Sequence, residues 1–237
     1  MEQKIDAIGE VTLESEALIK EVRKAFDDLP MELKRQVKNH AVLVAAEEKF
    51  AELKDQNFPF TDVSGWYEDA VRYVYRNSLM NGTSNTTFNP NGIVSRAQLV
   101  TILYRMAGEP EVSGKSVFTD VESGRWYSDA IEWAAAEGIV KGIGNDKFDP
   151  EGEITREQIV TILHRYCGTP TSNAKLDSFP DNQDVGNYAL EALRWATENE
   201  VINGVTSGDS VLLAPKATAT RAQIATIIMR FKENLFK

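Results

Sequence analysis

Three times in this chain a hydroxyl residue is followed by arginine and, two positions later, by glutamine: Ser95-Arg96-Ala97-Gln98, Thr155-Arg156-Glu157-Gln158 and Thr220-Arg221-Ala222-Gln223. The arginines recur roughly every 60 residues, the length of one small supersecondary unit. The same landmarks surround each copy in the same order, so the chain must fold as three versions of one element. It also supplies its own comparison of what that element needs.

Each copy opens on an aromatic and an acid: Phe60-Thr61-Asp62-Val63, Phe118-Thr119-Asp120-Val121 and, altered, Phe179-Pro180-Asp181. A first helix is expected to carry Trp66-Tyr67 with Ala70, Trp126-Tyr127 with Ala130, and Tyr188 with Ala192. It gives way to Leu79-Met80-Asn81-Gly82, Ile139-Val140-Lys141-Gly142 and Val201-Ile202-Asn203-Gly204, where glycine is expected to supply a positive φ. An irregular polar loop then reaches Phe88-Asn89-Pro90, Phe148-Asp149-Pro150 or Leu213-Ala214-Pro215. The second helix is expected to start at the motif arginine. Its apolar face is Leu99, Ile102 and Leu103, with Ile159, Ile162 and Leu163, and Ile224, Ile227 and Ile228, in the other copies. Arg105, Arg165 and Arg230 near its end suit the negative pole of the helix dipole.

Ser/Thr-x-x-Gln reads as a capping box, the hydroxyl closing the helix start and the glutamine reaching back to the cap N–H. That explains every residue of the motif except the arginine. A cation in the first turn opposes the dipole at about 0.3 to 1 kcal/mol when exposed, yet Arg96, Arg156 and Arg221 all stand there. Two accounts stay open on the residues alone. Each arginine is neutralised by a carboxylate, with Asp62, Asp120 and Asp181 as candidates, or it joins the helix N-terminus in receiving a carboxylate or phosphate ligand. The Arg96→Ala, Arg156→Ala double variant separates them. It is expected to weaken binding and leave the melt nearly unchanged; a large stability loss would favour the structural ion pair.

Trp66, Trp126 and Tyr188 carry a similar ambiguity between core and sugar-stacking platform, whereas Trp133 and Trp195 are expected to be buried structure. The loop around Gly152 is acidic, but an EF-hand register places Lys147 and Gln158 where ligands are needed and fails. Cys167 is alone and reads as packing. His164 aligns with Tyr104 and Met229, also a packing position. No cofactor or metal is called for.

A chain of 237 residues, 42% hydrophobic and 26% charged, has the composition of a folded protein. Its formal charge of −10 argues against nucleic acid, and no apolar run is long enough for membrane insertion. Residues 1 to 57 read differently from the rest. Leu18, Val22, Ala25, Phe26 and Leu29 recur at helical spacing, as do Leu33, Val37, Ala41, Val44, Phe50 and Leu53, with Pro30 opening the second helix. With a helical stretch at Lys4–Ile8 ending at Gly9, a small helical bundle is expected.

The ordered set of Phe-Thr-Asp-Val, Trp-Tyr, the glycine after the first helix, Phe-x-Pro and Thr-Arg-Ala-Gln resembles the surface-layer homology family over residues 60 to about 232. The resemblance implies a mainly α fold with three helix-loop-helix repeats in a pseudo-threefold arrangement around a central helical bundle. The expected division is 1–57 as a helical spacer module like those of some Gram-positive surface proteins, then repeats at 58–112, 113–172 and 173–237. It further implies a noncatalytic module that binds a peptidoglycan-linked, anionic, often pyruvylated secondary cell wall polymer in grooves between repeats. Arg96, Arg156 and Arg221 would pair with the acidic sugar, Trp66 and Trp126 would contact rings, Gly82 and Gly142 would let the backbone approach, and Asp62 and Asp120 would complete the ligand-binding set. The location implied is the cell wall or surface of a Gram-positive bacterium, with further domains upstream. Repeat three departs from the pattern at Tyr188 and Ala217 and in three extra loop residues, so its groove is expected to be the weaker. The rival readings are a helical scaffold for protein partners or lattice assembly, and a glycan hydrolase, which would need a carboxylate pair in a cleft.

Overall fold

A computed structural model describes residues 1–112, 114 and 116–236; the expected boundary at Ser113 lies outside them. The fold is mainly α. The N-terminal part holds α1 (Glu2–Asp6), α2 (Glu16–Asp27), α3 (Met31–Lys34) and α4 (His40–Gln56). The repeats contribute α5 (Glu68–Arg76) and α6 (Arg96–Met106), then α7 (Ser128–Ala136) and α8 (Arg156–Tyr166), and last α9 (Leu190–Glu198) and α10 (Arg221–Leu235). A small hairpin, β1 (Val205–Ser207) with β2 (Ser210–Leu212), lies between α9 and α10.

The hydrophobic interior divides into two clusters. The smaller one joins α1, α2 and α4 through Ile5, Ile8, Ile19, Val22, Phe26, Leu43, Ala46 and Phe50. Here the structure corrects two expectations. The first helix is Glu2–Asp6 rather than Lys4–Ile8, with Gly9 at φ +60° beyond it. The series from Leu33 to Leu53 is not one helix, because the chain breaks before α4 so that Lys38 N and Asn39 Nδ2 can bond Glu2 and Asp6 on α1. Leu33 and Leu18 are left exposed, and Ile19 takes the inward position.

The larger cluster runs through all three repeats, because the repeats interlock. The second helix of each packs on the first helix of the next: α6 on α7, α8 on α9, and α10 back on α5. At the centre three segments, one from each repeat, close a ring of backbone hydrogen bonds. Val94 N donates to Ala219 O at 3.1 Å, Ala219 N to Ile154 O at 3.4 Å, and Ile154 N to Val94 O at 3.1 Å. The second helices leave this ring, and α6, α8 and α10 are buried on most of their sides.

All three helix starts carry the expected capping box, with Ser95, Thr155 and Thr220 accepting from the N3 glutamine N–H and Gln98, Gln158 and Gln223 returning the bond. The extra residues of repeat three form the β1–β2 hairpin, turned by Gly208 at φ +58° and Asp209.

Candidate functional site

Each motif arginine crosses from its own repeat to the loop of the next. Arg96 Nε donates to Phe148 O at 2.8 Å, Arg156 Nε to Leu213 O at 2.9 Å, and Arg221 Nε to Phe88 O at 2.8 Å. The helix starts make the same crossing: Arg96 N bonds Gly152 O, Arg156 N bonds Ala217 O and Arg221 N bonds Gly92 O. All three side chains are buried, and burial lowers their pKa, opposed by the fields of Asp149 and Asp120 at Arg96, Asp181 at Arg156 and Asp62 at Arg221. A guanidinium remains charged throughout.

The expected ion pairs do not form. Among the described residues no salt bridge joins these arginines to Asp62, Asp120 or Asp181. Each aspartate instead accepts two consecutive backbone N–H groups of its own loop: Phe88 and Asn89 on Asp62, Phe148 and Asp149 on Asp120, Leu213 and Ala214 on Asp181. Two neighbouring N–H groups can face one carboxylate because Asn89, Asp149 and Ala214 adopt φ of 59°, 61° and 49°. The carboxylate therefore fixes the loop whose carbonyl receives the arginine. Asp62 and Asp120, expected at the ligand, line none of the three clefts described next.

The arginines surface at the floors of three equivalent clefts, each built from three repeats. The first lies along α6, with Gln98 and Arg105, the Asn81-Gly82 loop, Trp126 from repeat two and Arg221 from repeat three. The second lies along α8, with Gln158 and Arg165, Lys141-Gly142, Tyr188 from repeat three and Arg96 from repeat one. The third lies along α10, with Gln223 and Arg230, Asn203-Gly204, Trp66 from repeat one and Arg156 from repeat two. Volumes of about 250, 320 and 400 Å³ suit small polar ligands.

The aromatic walls stand in solvent: Trp66 is 69%, Trp126 58% and Tyr188 55% exposed. Trp66 and Trp126 precede their helices rather than sit within them, and make edge contacts with Tyr67 and Tyr127. Large aromatics that gain nothing from the core are what a sugar face stacks on. Among the described residues, neither terminal nitrogen of Arg156 has a protein hydrogen-bond partner, and Arg96 adds only a 3.4 Å contact from Nη2 to Lys141 O. Nη2 of Arg221 is committed to Asn81 O at 2.5 Å.

Arg105, Arg165 and Arg230 were legible only as helix-end cations. Their place on the cleft walls was missed, although their recurrence in all three copies was the available signal. The glycines need correction too. Gly82 and Gly142 line their clefts but do not have positive φ. A Cβ added at either would instead collide with the Phe60 ring and Thr87 O, or with the Phe118 ring and Lys147 O, so only glycine fits there. Gly204 alone of the three is left-handed, at φ +81°. His164 packs as expected but also bonds Pro170 O at 2.7 Å, as Tyr104 Oη does to Pro110 O. Burial pushes the Cys167 thiol up to about 11, in keeping with a packing role.

The three repeats match the S-layer homology domain at residues 59–100, 117–160 and 178–225. The chain belongs to that family. Its relatives include exoglucanase XynX of Acetivibrio thermocellus, 31% identical over 174 residues covering 71% of this chain and 16% of that protein. The surface-layer 125 kDa protein of Lysinibacillus sphaericus is 32% identical over 176 residues, 74% of this chain and 15% of its own. A cellulosome-anchoring protein of Acetivibrio thermocellus is 29% identical over 148 residues, 60% of this chain and 33% of its own. The chain thus spans a third or less of the length of each of these proteins. That these repeats occur on a surface-layer protein, an anchoring protein and an enzyme supports a cell-surface anchoring module.

Proposed function

We propose that this module anchors a larger exported protein to the wall of a Gram-positive bacterium by binding an anionic, pyruvate-bearing secondary cell wall polymer in its three clefts. One observation carries the reading: each cleft unites an exposed aromatic, a buried motif arginine and a helix-end arginine drawn from three different repeats. Ring and cation side by side fit a sugar that carries an acid, the ring taking the apolar sugar face and the guanidinium the carboxylate. A net charge of −10 on the whole chain makes such local cationic floors the places where an anion is received. The recurring acids do not form a hydrolytic pair, since Asp62, Asp120 and Asp181 spend both oxygens on backbone N–H groups.

The test is co-sedimentation with purified walls, before and after the secondary polymer is stripped from intact peptidoglycan. Binding is expected to vanish with the polymer; retention by bare peptidoglycan would sink the reading. Trp66→Ala with Trp126→Ala should weaken binding at least tenfold without lowering the melting temperature, because both rings are largely solvent-exposed.

A further inference from the structure

Among the polar and aromatic positions that line the three clefts, the second departs from the other two at Lys141 and Tyr188. Position 141 is lysine where the other copies have Asn81 and Asn203, so this cleft brings together Arg96, Arg165 and Lys141 against two arginines in each of the others. Its aromatic wall is Tyr188 rather than tryptophan, and it is not free. Tyr188 Oη donates to Glu157 Oε1 at 2.7 Å, and Glu157 also accepts Gly186 N at 2.9 Å and Lys216 Nζ at 2.5 Å. Glu157 is 3% exposed and occupies the position of Ala97 and Ala222. The Tyr188 and Glu157 departures are thus one joint change.

This cluster fixes the phenol and spends its one donor, so the ring is a static wall that offers an anion no hydrogen-bond donor. Glu157 and Lys216 neutralise one another, leaving the field of the three cleft cations little reduced. The remaining negative groups acting on Arg96 are Asp149 and Asp120, and Asp120 is held by its own loop. Nη2 of Arg96 has only the long contact to Lys141 O, so its outer edge faces the cleft as that of Arg156 does, where its counterpart in Arg221 is tightly bonded.

We propose that the second cleft selects by charge: it takes a doubly anionic, phosphate-type substituent of the glycan, while the first and third take singly charged, carboxylate-bearing sugars on an exposed indole. The third cation favours the higher charge, since the Coulomb energy between each cation and the ligand scales with the charge the ligand carries. A fixed and smaller ring gives less stacking. The proposal rests on the reading that the clefts bind anionic glycan.

Two probes on one sugar test it: a methyl hexoside with a 4,6-pyruvate ketal, and the same hexoside as its 6-phosphate, dianionic at about pH 7.5. Each is titrated into the full chain while the Gly142 and Ile143 amides and the Trp66 and Trp126 indole N–H resonances are followed. The phosphate is expected to bind at Gly142 and Ile143 at least fivefold more tightly than the ketal, and the ketal to bind at the two indoles with the lower Kd. Lys141→Asn, at an exposed position, should reduce the phosphate preference to under twofold. Equal affinities at the second cleft, or a preference that survives Lys141→Asn, would overturn the charge selection and leave the anchoring reading standing. No shift at any cleft from either probe would bring down both.

Discussion

Arg221 and Asp62 hold one residue from opposite sides: the Phe88 N–H donates to Asp62 Oδ1 at 2.8 Å and the Phe88 carbonyl accepts from Arg221 Nε at 2.8 Å. Repeat three thereby fastens to repeat one through the same residue that repeat one uses to shape its own loop. The Arg96–Phe148–Asp120 and Arg156–Leu213–Asp181 chains repeat the device, and the ring closes without a free end.

Removing an arginine should therefore destabilise the fold. Arg221→Ala leaves Phe88 O and Asn81 O without their donor, at about 1 to 3 kcal/mol for each unpaired buried group, and removes the cation lying 4.4 Å from the Phe88 ring. Arg156→Ala orphans only Leu213 O and should cost less. At roughly 2 to 4 °C per kcal/mol for a chain of this size, thermal melts should rank Arg221→Ala below Arg156→Ala, and both below the parent. An unchanged melt for Arg221→Ala would contradict the clamp. Neither account that the sequence left open describes the arginine fully: the carboxylate partner is absent, Nε is structural through a backbone carbonyl while the outer edge lines a cleft, and the nearly unchanged melt expected from the sequence is replaced by a loss.

Acid should loosen the same clamp. Burial alone would raise the Asp62 and Asp120 pKa, but the two backbone N–H donors at each outweigh it, helped by the Arg221 and Lys147 charges, so both carboxyls titrate below the usual range. A folded pKa below the unfolded one, near 3.9, gives stability that is complete above the unfolded value and is lost as pH falls through the folded one. Melting temperature should drop steeply below about pH 4. Asp62→Asn should melt lower at pH 7 and show a shallower acid limb; an identical limb would assign acid sensitivity to other groups.

The capping boxes, the start of each second helix at arginine and its inward apolar face were all legible because each depends on neighbours within one turn. The arginine's partner was not, because Phe88 lies far from Arg221 in sequence and only closure of the ring brings them together. For the same reason the departures of repeat three were misassigned. Tyr188 belongs to the cleft of α8, Trp66 to that of α10, and no copy owns a cleft alone. The break before α4 was hidden by a helical period that continued through Val37 while the backbone turned aside to bond α1.

Gly82 tests the close approach directly. A methyl there would meet Ser84 O at 2.5 Å and Thr87 O at 2.6 Å as well as the Phe60 ring, all of them held by the loop. Gly82→Ala should lower stability by about 1 to 3 kcal/mol through overpacking, visible as a lower denaturant midpoint. Gly65→Ala, with open space around the added carbon but φ of +83°, should cost only the strain of about 1 to 2 kcal/mol. Equal, small losses at the two positions would refute the packing argument.

Position 214 offers a gain. Ala214 holds φ +49° where Asn89 and Asp149 stand in the other repeats, and an alanine strains there by about 1 to 2 kcal/mol. Ala214→Gly should recover part of that strain, against the added freedom of the unfolded chain, for a net gain of about 0.5 kcal/mol. Ala214→Asn alone should not gain, because position 217 has changed in step. At Gly92 an added Cβ would lie 2.6 Å from Asn89 Nδ2, and at Gly152 it would collide with the Asp149 carboxylate, whereas repeat three pairs Ala214 with Ala217. The Ala214→Asn, Ala217→Gly double variant should therefore melt above Ala214→Asn by more than Ala217→Gly changes the parent. That positive coupling in a double-mutant cycle is the decisive reading, and strict additivity would show that the two positions vary independently.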